Sequence, residues 1–561
     1  MAQIDSLHAE DAALPAVESP NQEATNASVV KASGILAFGN IASRVLGMAR
    51  DIAITTLFGA SRATDAFYVA TLVPKTLYDV MIGGQLNGAI IPVLSEVVTK
   101  EGQKALWQVL SILLSLVTVV LSALVLIILI FAPQIVTLVG GGYDAPTQAL
   151  AADLLRLTSP ALLFLSLFAV LSGTLYAMRS FTLPAMAGAL FNGCIVLGTI
   201  LLAPPLQVVT IVSATSVQWI AARPIDGIRA AVLGWLIGAF VQMISQIPGL
   251  RAARVHFTLN WRHPALIKIG KLYIPIMFSL IIDAALRFLS FNFASQTGNN
   301  SLSYMNWATT LIQFPQGLVA TAISIAILPT LARQSVLARA GERPFKDTLG
   351  LGLRLAIMLI IPAAVGLFVL ALPIVSLIFE HGAFTSADSV ITSLALRYYL
   401  LGLPFAAVDL LLVYAFYARQ DTLTPALIGL VSLVAYTIVA LVLLPTFGLF
   451  ALMLADSAKQ LTHCVLSAII LSRRMNGFGD QRLPLTIGKS ILAAGVMGAL
   501  GLVTLPIFER VIGTDGLIRQ IVLVGVAGGL GLIVFMALAA LLRLEELRWL
   551  AGLIRQRFVR E

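Results

Sequence analysis

The sequence predicts an all-α polytopic membrane protein of about 14 transmembrane helices, built as two pseudo-symmetric six-helix lobes followed by two C-terminal helices. Three observations carry this. Hydrophobic residues make up 59% of the 561-residue chain and charged residues 11%, against about 25% charged in soluble domains. Apolar runs of roughly 20 residues recur along it, each long enough to cross a hydrocarbon core of about 30 Å and lacking the period-two alternation of barrel strands. Two pairs of motifs repeat at nearly one offset: "AIIPVLSEV" at 89–97 with "AILPTLARQ" at 326–334, and "LYAMRSFTLPA" at 175–185 with "FYARQDTLTPA" at 416–426. An even number of helices per lobe gives both lobes the same orientation, related by an axis along the membrane normal.

The elements follow in order. Residues 1–28 are polar and acidic with no apolar core, which reads as a disordered cytoplasmic tail rather than a signal peptide. Helical segments 1 to 6 fall near 31–58, 63–98, 104–139, 149–178, 182–203 and 226–248, within an N-lobe spanning 29–250. Segments 7 to 12 fall near 264–296, 301–334, 347–379, 386–418, 422–445 and 447–473, within a C-lobe spanning 262–475. Segments 13 and 14, near 485–509 and 519–543, occupy 484–545 outside the repeat. Several exceed a minimal span, so bends are expected at Pro74, Gly83-Gly84, Pro315 and Pro404. Few strands are expected. The basic, amphipathic tail at 546–561 suits the inner membrane surface, with a solvated helix as the alternative.

Charge in the loops sets orientation. Exits of even-numbered segments carry Lys100 and Lys104, Arg179, a run from Arg251 to Lys271, a run from Arg333 to Lys346, Arg419, and Arg473, Arg474 and Arg482. Alternate loops such as "GGGYDAPTQ" and "EHGAFTSAD" hold no Lys or Arg. Even exits and both termini are therefore expected in the cytoplasm. The formal charge of +9 is explained by this asymmetry and calls for no nucleic-acid partner.

Energy-coupling and catalytic motifs are missing from the sequence. It has no GxxxxGK[ST] phosphate loop, its five histidines are scattered without an HExxH pair, and Cys194 and Cys464 lie inside apolar runs without metal-type spacing. An ATPase, a metalloprotease, a metal centre and a bound cofactor are not expected. Two parallel lobes without a nucleotide site point to a secondary transporter or flippase working by alternating access around a central cavity.

Charges within the apolar segments mark that cavity, because each costs at least about 2.5–3.5 kcal/mol at the bilayer centre unless it meets water or a partner. Segment 1 holds Arg44, Arg50 and Asp51; at 100° per residue Arg44 and Asp51 share a face and Arg50 points about a third of a turn away. Lys75 and Asp79 in segment 2, and Asp283 and Arg287 in segment 7, stand at i,i+4, the spacing of self-neutralising bridges. Segment 12 holds Asp456 and Lys459, and segment 10 holds Asp409 without a sequence-local partner. One Asp51 cannot neutralise two arginines, and arginine's fixed fork of donors suits phosphate. The intramembrane tally is nevertheless balanced, five basic residues (Arg44, Arg50, Lys75, Arg287, Lys459) against five acidic (Asp51, Asp79, Asp283, Asp409, Asp456).

The stretches "SRVLGMARDIAITTLFGASRATDAFYVATLVP", "FPQGLVATAISIAILPTLARQ" and "FYARQDTLTPALIG", arriving in order, resemble the signatures of the MurJ/MviN lipid II flippases, within the multidrug/oligosaccharidyl-lipid/polysaccharide exporter superfamily. The resemblance runs from about residue 31 to 475. It implies a multi-pass protein of the bacterial inner membrane that moves lipid II, the undecaprenyl-pyrophosphate-linked peptidoglycan precursor, to the periplasmic leaflet. It further implies arginines gripping the headgroup, segments 13 and 14 forming a groove for the lipid tail, and membrane lipids and cell-wall synthesis proteins as partners. Arg44, Arg50, Asp51 and Asp65 fall on matching family positions, while Lys75 and Arg287 are candidates to replace two family arginines that correspond here to Tyr78 and Thr310. Those six are the candidate substrate contacts; Asp79, Asp283 and Asp409 are candidates for coupling or structure. The acidic residue at the family's segment 2 corner corresponds to Gly83, and a sodium-binding aspartate of some relatives to Ser290, so no family-type sodium site is expected. A flippase for another polyprenyl-linked glycan, an antiporter of amphipathic cations using Asp51, Asp283 and Asp409, and a non-transporting scaffold remain the alternatives.

Overall fold

The computed structural model describes residues 20–81, 86–205, 207–212, 217–222, 224–336, 342–479, 481–514, 516–547 and 549. In the N-lobe, segment 1 is α1 (Pro20–Phe58), stopped by Gly59 at φ 57°. Segment 2 runs as α2 (Arg62–Met81) and α3 (Leu86–Lys100); the expected bend at Gly83-Gly84 lies outside the described residues, and Pro74 sits inside α2. Segment 3 is α4 (Gly102–Gly140), kinked at Phe131 (φ −96°, ψ 15°) just before Pro133. Proline has no N–H for the carbonyl four residues back, and that carbonyl, of Leu129, instead accepts from Arg156 Nε at 3.4 Å. Segment 4 divides at Pro160 into α5 (Ala145–Thr158) and α6 (Pro160–Ala177), and α7 (Thr182–Leu201) and α8 (Arg229–Ile244) complete the lobe.

An antiparallel hairpin stands between α7 and α8, with β1 (Gln207–Val212) paired to β2 (Val217–Ala222) in the register Gln207 to Ala222. The lobes are joined by an extended strap whose His256 and Thr258 N–H groups donate to Ser111 Oγ (3.2 Å) and Ser115 Oγ (3.0 Å) of α4.

The C-lobe holds α9 (Pro264–Ser295), α10 (Ser301–Pro315), a π-helical turn (Gln316–Thr321) and α11 (Ala322–Val336). It continues with α12 (Arg343–Val369), α13 (Ala371–Phe379), α14 (Ser386–Leu400), α15 (Leu403–Ala418), α16 (Leu423–Phe447) and α17 (Phe450–Arg474). The expected bend near Pro404 is present as a 45° angle between α14 and α15, whereas at Pro315 the rod continues as one span through the π turn. Beyond the lobes lie α18 (Leu483–Ile512) and α19 (Leu517–Leu541).

The internal repeat is visible in backbone conformation. Arg179 and Gln420, 241 positions apart, are both left-handed at φ 60°, and the turns around them close by the same bond, Ser180 N to Leu175 O (2.8 Å) and Asp421 N to Phe416 O (3.0 Å). The turns after α1 and α9 match likewise, with Gly59 and Asn300 left-handed at that offset. Among the described residues, nine rods are long and apolar enough to cross a membrane, ten with the bent α14–α15 pair. The described helices outside these rods are α1, α2, α3, α9 and α17, each with charged residues along its length, and the short, wholly apolar α13.

Candidate functional site

A cavity of about 160 Å³ lies between the lobes, lined by Arg50, Asp51, Tyr68, Thr71 and Lys75 from the N-lobe and by Asn306, Thr309, Thr310 and Gln313 of α10. Arg50 is held on two sides. Its Nε and Nη2 donate to Asp51 Oδ1 at 2.9 and 2.8 Å, and its Nη1 donates to Asn192 Oδ1 of α7 at 3.1 Å. Asn192 is itself fixed by donating to the carbonyls of Ser43 (3.2 Å) and Gly188 (3.1 Å). Three of the guanidinium's five N–H groups are thus committed, and the rest remain for the cavity. Asp51, only 3% exposed, spends its second oxygen on the Thr310 hydroxyl (3.1 Å). Lys75 is exposed to the cavity, so Arg50 and Lys75 face Asp51 with an excess of positive charge. Arg44 stands apart on α1, its Nη1 3.4 Å from the Gln313 carbonyl and its guanidinium against Gly317 of the π turn.

Asp79 and Arg287 form a different unit. Arg287 Nη1 donates to Asp79 Oδ2 at 2.7 Å across the lobe boundary. The i,i+4 pairings suggested by spacing, Lys75 with Asp79 and Asp283 with Arg287, are not the ones adopted. Arg287 lies outside the residues lining the inter-lobe cavity.

Asp65 also lies outside that lining. At 1% exposure, it accepts from Asn300 N (2.6 Å), Ser303 N (3.0 Å) and Ser303 Oγ (2.6 Å), capping the first turn of α10 with a carboxylate from the opposite lobe. Two further contacts close the same end. Ala383 N donates to Thr56 O (2.9 Å) between two left-handed glycines, Gly59 and Gly382, and Gly142 N donates to Ser295 Oγ (3.0 Å). Trp307, fully buried, packs edge-on to Phe384 at 5.1 Å and Tyr68 at 6.4 Å, filling the space between these contacts and the cavity.

A second chamber of about 260 Å³ lies within the C-lobe, lined by Asp283, Asp409, Tyr417, Ser432, Lys459 and His463 among others. Lys459 Nζ is 2.6 Å from Asp456 Oδ1, three residues back on α17. Asp409 is paired with His463 Nδ1 at 2.6 Å. Among the described residues no group of three or more His, Cys, Asp or Glu is placed to hold a metal ion.

The third feature is apolar. A groove of about 470 Å³ runs between α12, α18 and α19, floored by Gly366, Gly498, Gly501, Gly528 and Gly531 with Met497 between them. The glycines open it by leaving out side chains along three helices.

Of the nine residues singled out from the sequence, the structure brings Arg50, Asp51 and Lys75 together in the inter-lobe cavity, Asp283 and Asp409 in the second chamber, and Asp79 with Arg287. Sequence reasoning missed Asn192, Asn306, Gln313 and His463. Their signal was a polar amide or imidazole inside an apolar segment, weaker than a charge but subject to the same cost of burial without a partner.

The sequence profile described as "Lipid II flippase MurJ" matches residues 54–522. A lipid II flippase MurJ of Burkholderia cenocepacia is 29% identical over 440 residues, covering 77% of this chain and 81% of its own length. A probable lipid II flippase MurJ of Bdellovibrio bacteriovorus is 28% identical over 534 residues, covering 92% and 96%. In fold the chain is similar to a structure titled "Lipid II flippase MurJ, inward closed conformation", with a TM-score of 0.73, 24% identity and coverage of 90% and 98%. It is also similar to an inward-facing multidrug resistance MATE transporter, with a TM-score of 0.61 and 14% identity, covering 78% and 95%. With the profile spanning most of its length, the chain belongs to the lipid II flippase MurJ family.

Proposed function

We propose that this protein moves lipid II from the cytoplasmic to the periplasmic leaflet by alternating access of its two lobes. The observation that carries the reading is the inter-lobe cavity, where Arg50 is locked by Asp51 and Asn192 with N–H groups to spare and Lys75 supplies a second cation. A preorganised fork of this kind suits a pyrophosphate oxygen. Arg44, Arg50 and Lys75 bind the headgroup, Asp51 orients Arg50, and the glycine-floored groove takes the polyprenyl tail. Asp65, Asp79 and Arg287 act on the lobes rather than on the substrate. The inter-lobe bonds made by Asp65, Thr56 and Gly142 support a periplasmically closed, inward-facing state. Both termini lie in the cytoplasm of a bacterium whose inner membrane holds the protein, and its partners are lipid II, membrane lipids and the cell-wall synthesis machinery. The protein is a transporter and catalyses no covalent step.

The test is lipid II exposure on the outer leaflet of cells depleted of their own flippase and carrying this chain or its Arg50→Ala variant at equal level. Exposure restored by the first and lost in the second supports the reading. No restoration despite normal insertion overturns it and favours a different polyprenyl-linked glycan, the alternative suggested by Tyr78 and Thr310 at the family's arginine positions.

A further inference from the structure

The C-lobe chamber is separate from the inter-lobe cavity, and the pair at its edge has an unusual hydrogen-bond demand. His463 presents Nδ1 to Asp409 Oδ1 at 2.6 Å and Nε2 to the Pro425 carbonyl oxygen at 3.3 Å. Ser467 Oγ, with one proton to give, lies 3.1 Å from Asp409 Oδ1 and 3.3 Å from His463 Nδ1. A neutral imidazole has one donor and one acceptor nitrogen. With Asp409 ionised and His463 neutral, one ring nitrogen would therefore turn a lone pair toward an oxygen lone pair. One added proton removes the conflict wherever it resides. An imidazolium donates to both oxygens; a protonated Asp409 donates to Nδ1 while Nε2–H donates to Pro425.

The surroundings complete the inventory. Helix α9 contributes Asp283, with Arg287 one turn on and engaged by Asp79; α15 contributes Asp409 and Tyr417, with Tyr414 beside it; α17 contributes Lys459, bridged to Asp456, and Cys464 next to His463. From α16 the chamber receives Pro425 and Ser432 and no ionisable side chain.

We infer that Asp409 and His463 form a proton-binding site whose occupancy locks α16 against α15 and α17, making the proton the coupling ion of this transporter. The proton arrives from water, forms an N–H or O–H bond on the pair, and returns to water when that bond breaks. Its loss withdraws the donor from Pro425 at the start of α16, freeing that helix. Ionisable groups held within a membrane domain commonly serve as such relays. The coupling half of this inference rests on the flippase reading; the protonation half does not.

Two measurements on the full-length protein test it. With nitrogen-15-labelled histidine, the spectrum of the purified protein minus that of His463→Gln isolates one ring among five. Both ring nitrogens protonated near neutral pH, or Nε2 protonated with Nδ1 in a strong hydrogen bond that disappears in Asp409→Asn, supports the site. An Nδ1-protonated neutral ring across the range pH 6–8 overturns it. In proteoliposomes, the flipping rate of fluorescent lipid II with and without an imposed pH gradient gives a ratio, expected to reach up to about tenfold for one pH unit in the wild type and to fall to one in Asp409→Asn and His463→Gln. A wild-type ratio of one, or a ratio kept by both variants, overturns coupling. Absence of all flipping would instead refute the flippase reading and leave the spectrum to judge the proton site.

Discussion

Arg287 of α9 donates a 2.7 Å charged hydrogen bond to Asp79 of α2, joining residues 208 positions apart from opposite lobes. Arg287 passes over Asp283, its i,i+4 neighbour, which instead faces the C-lobe chamber.

A double-mutant cycle on Asp79→Ala and Arg287→Ala should therefore show coupling of about 0.5–1 kcal/mol in thermal unfolding, small because both side chains remain about a third exposed. The same cycle on Asp283 and Arg287 should give additive effects. Coupling in the second cycle and none in the first would reject the observed pairing.

Asp65 caps α10 from the other lobe, so removing its carboxylate leaves the N–H groups of Asn300 and Ser303 without their acceptor. Asp65→Ala should cost roughly 2–4 kcal/mol of stability and, on the proposed orientation, loosen the lobe closure at the periplasmic end. In a background lacking Cys194 and Cys464, a cysteine in place of Thr71 should then become more reactive to an impermeant thiol reagent added from the periplasm. Unchanged labelling would mean that Asp65 does not hold the lobes shut.

At the same closure, Gly59 and Gly382 sit at φ 57° and 63°, and a Cβ on Gly59 would collide with the Ala383 carbonyl oxygen and one on Gly382 with the Thr56 carbonyl oxygen in the last turn of α1. Gly382→Ala should cost at least about 1–2 kcal/mol for the left-handed backbone alone and, because the loop must move, raise the same periplasmic labelling. A protein indifferent to both substitutions would show that this contact is not needed for closure.

Asn192 receives Arg50 on one atom and ties itself to α1 with the other. Asn192→Leu should reduce flipping sharply while Arg50 is still present, and Arg50→Lys should do the same, because a point-charge ammonium cannot reproduce the fork between Asp51 and Asn192. Wild-type flipping rates in both would remove the case for a preorganised guanidinium.

Asp421 lies in the turn between α15 and α16. Burial would raise its carboxyl, but donation from Thr424 N (2.9 Å), Thr424 Oγ (2.6 Å) and Arg474 outweighs burial and holds it below the ordinary aspartate value of 3.8. A folded value below the unfolded one means that the stabilisation is full at neutral pH and is lost as pH falls through the folded value. Asp421→Asn should lower the melting temperature at pH 7, and the difference from wild type should shrink below about pH 4. A difference independent of pH would argue for packing rather than charge.

Much of the fold was legible in the chain. The bend near Pro404 was expected from proline's missing donor, and the motif repeat between 175–185 and 416–426 reappears as a shared left-handed turn at Arg179 and Gln420. The hairpin at 207–222 was not foreseen. The site was legible only as a set of candidates. Arg50, Asp51 and Lys75 stood out because a charge in an apolar segment is costly, whereas Asn192, which holds Arg50, and His463, which pairs with Asp409, carried a fainter signal.

Composition and periodicity determined that the chain is helical, membrane-spanning and duplicated, because those properties depend on residues near one another along the chain. The sequence left five intramembrane cations balanced by five anions. Only the tertiary structure sorted them, setting Arg50 and Lys75 against Asp51 between the lobes, and Asp283 and Asp409 with Lys459 and His463 inside the C-lobe. Helical spacing says which charges share a face, but an electrostatic partner is chosen by distance in space, and that distance is set by which helices pack together hundreds of residues apart.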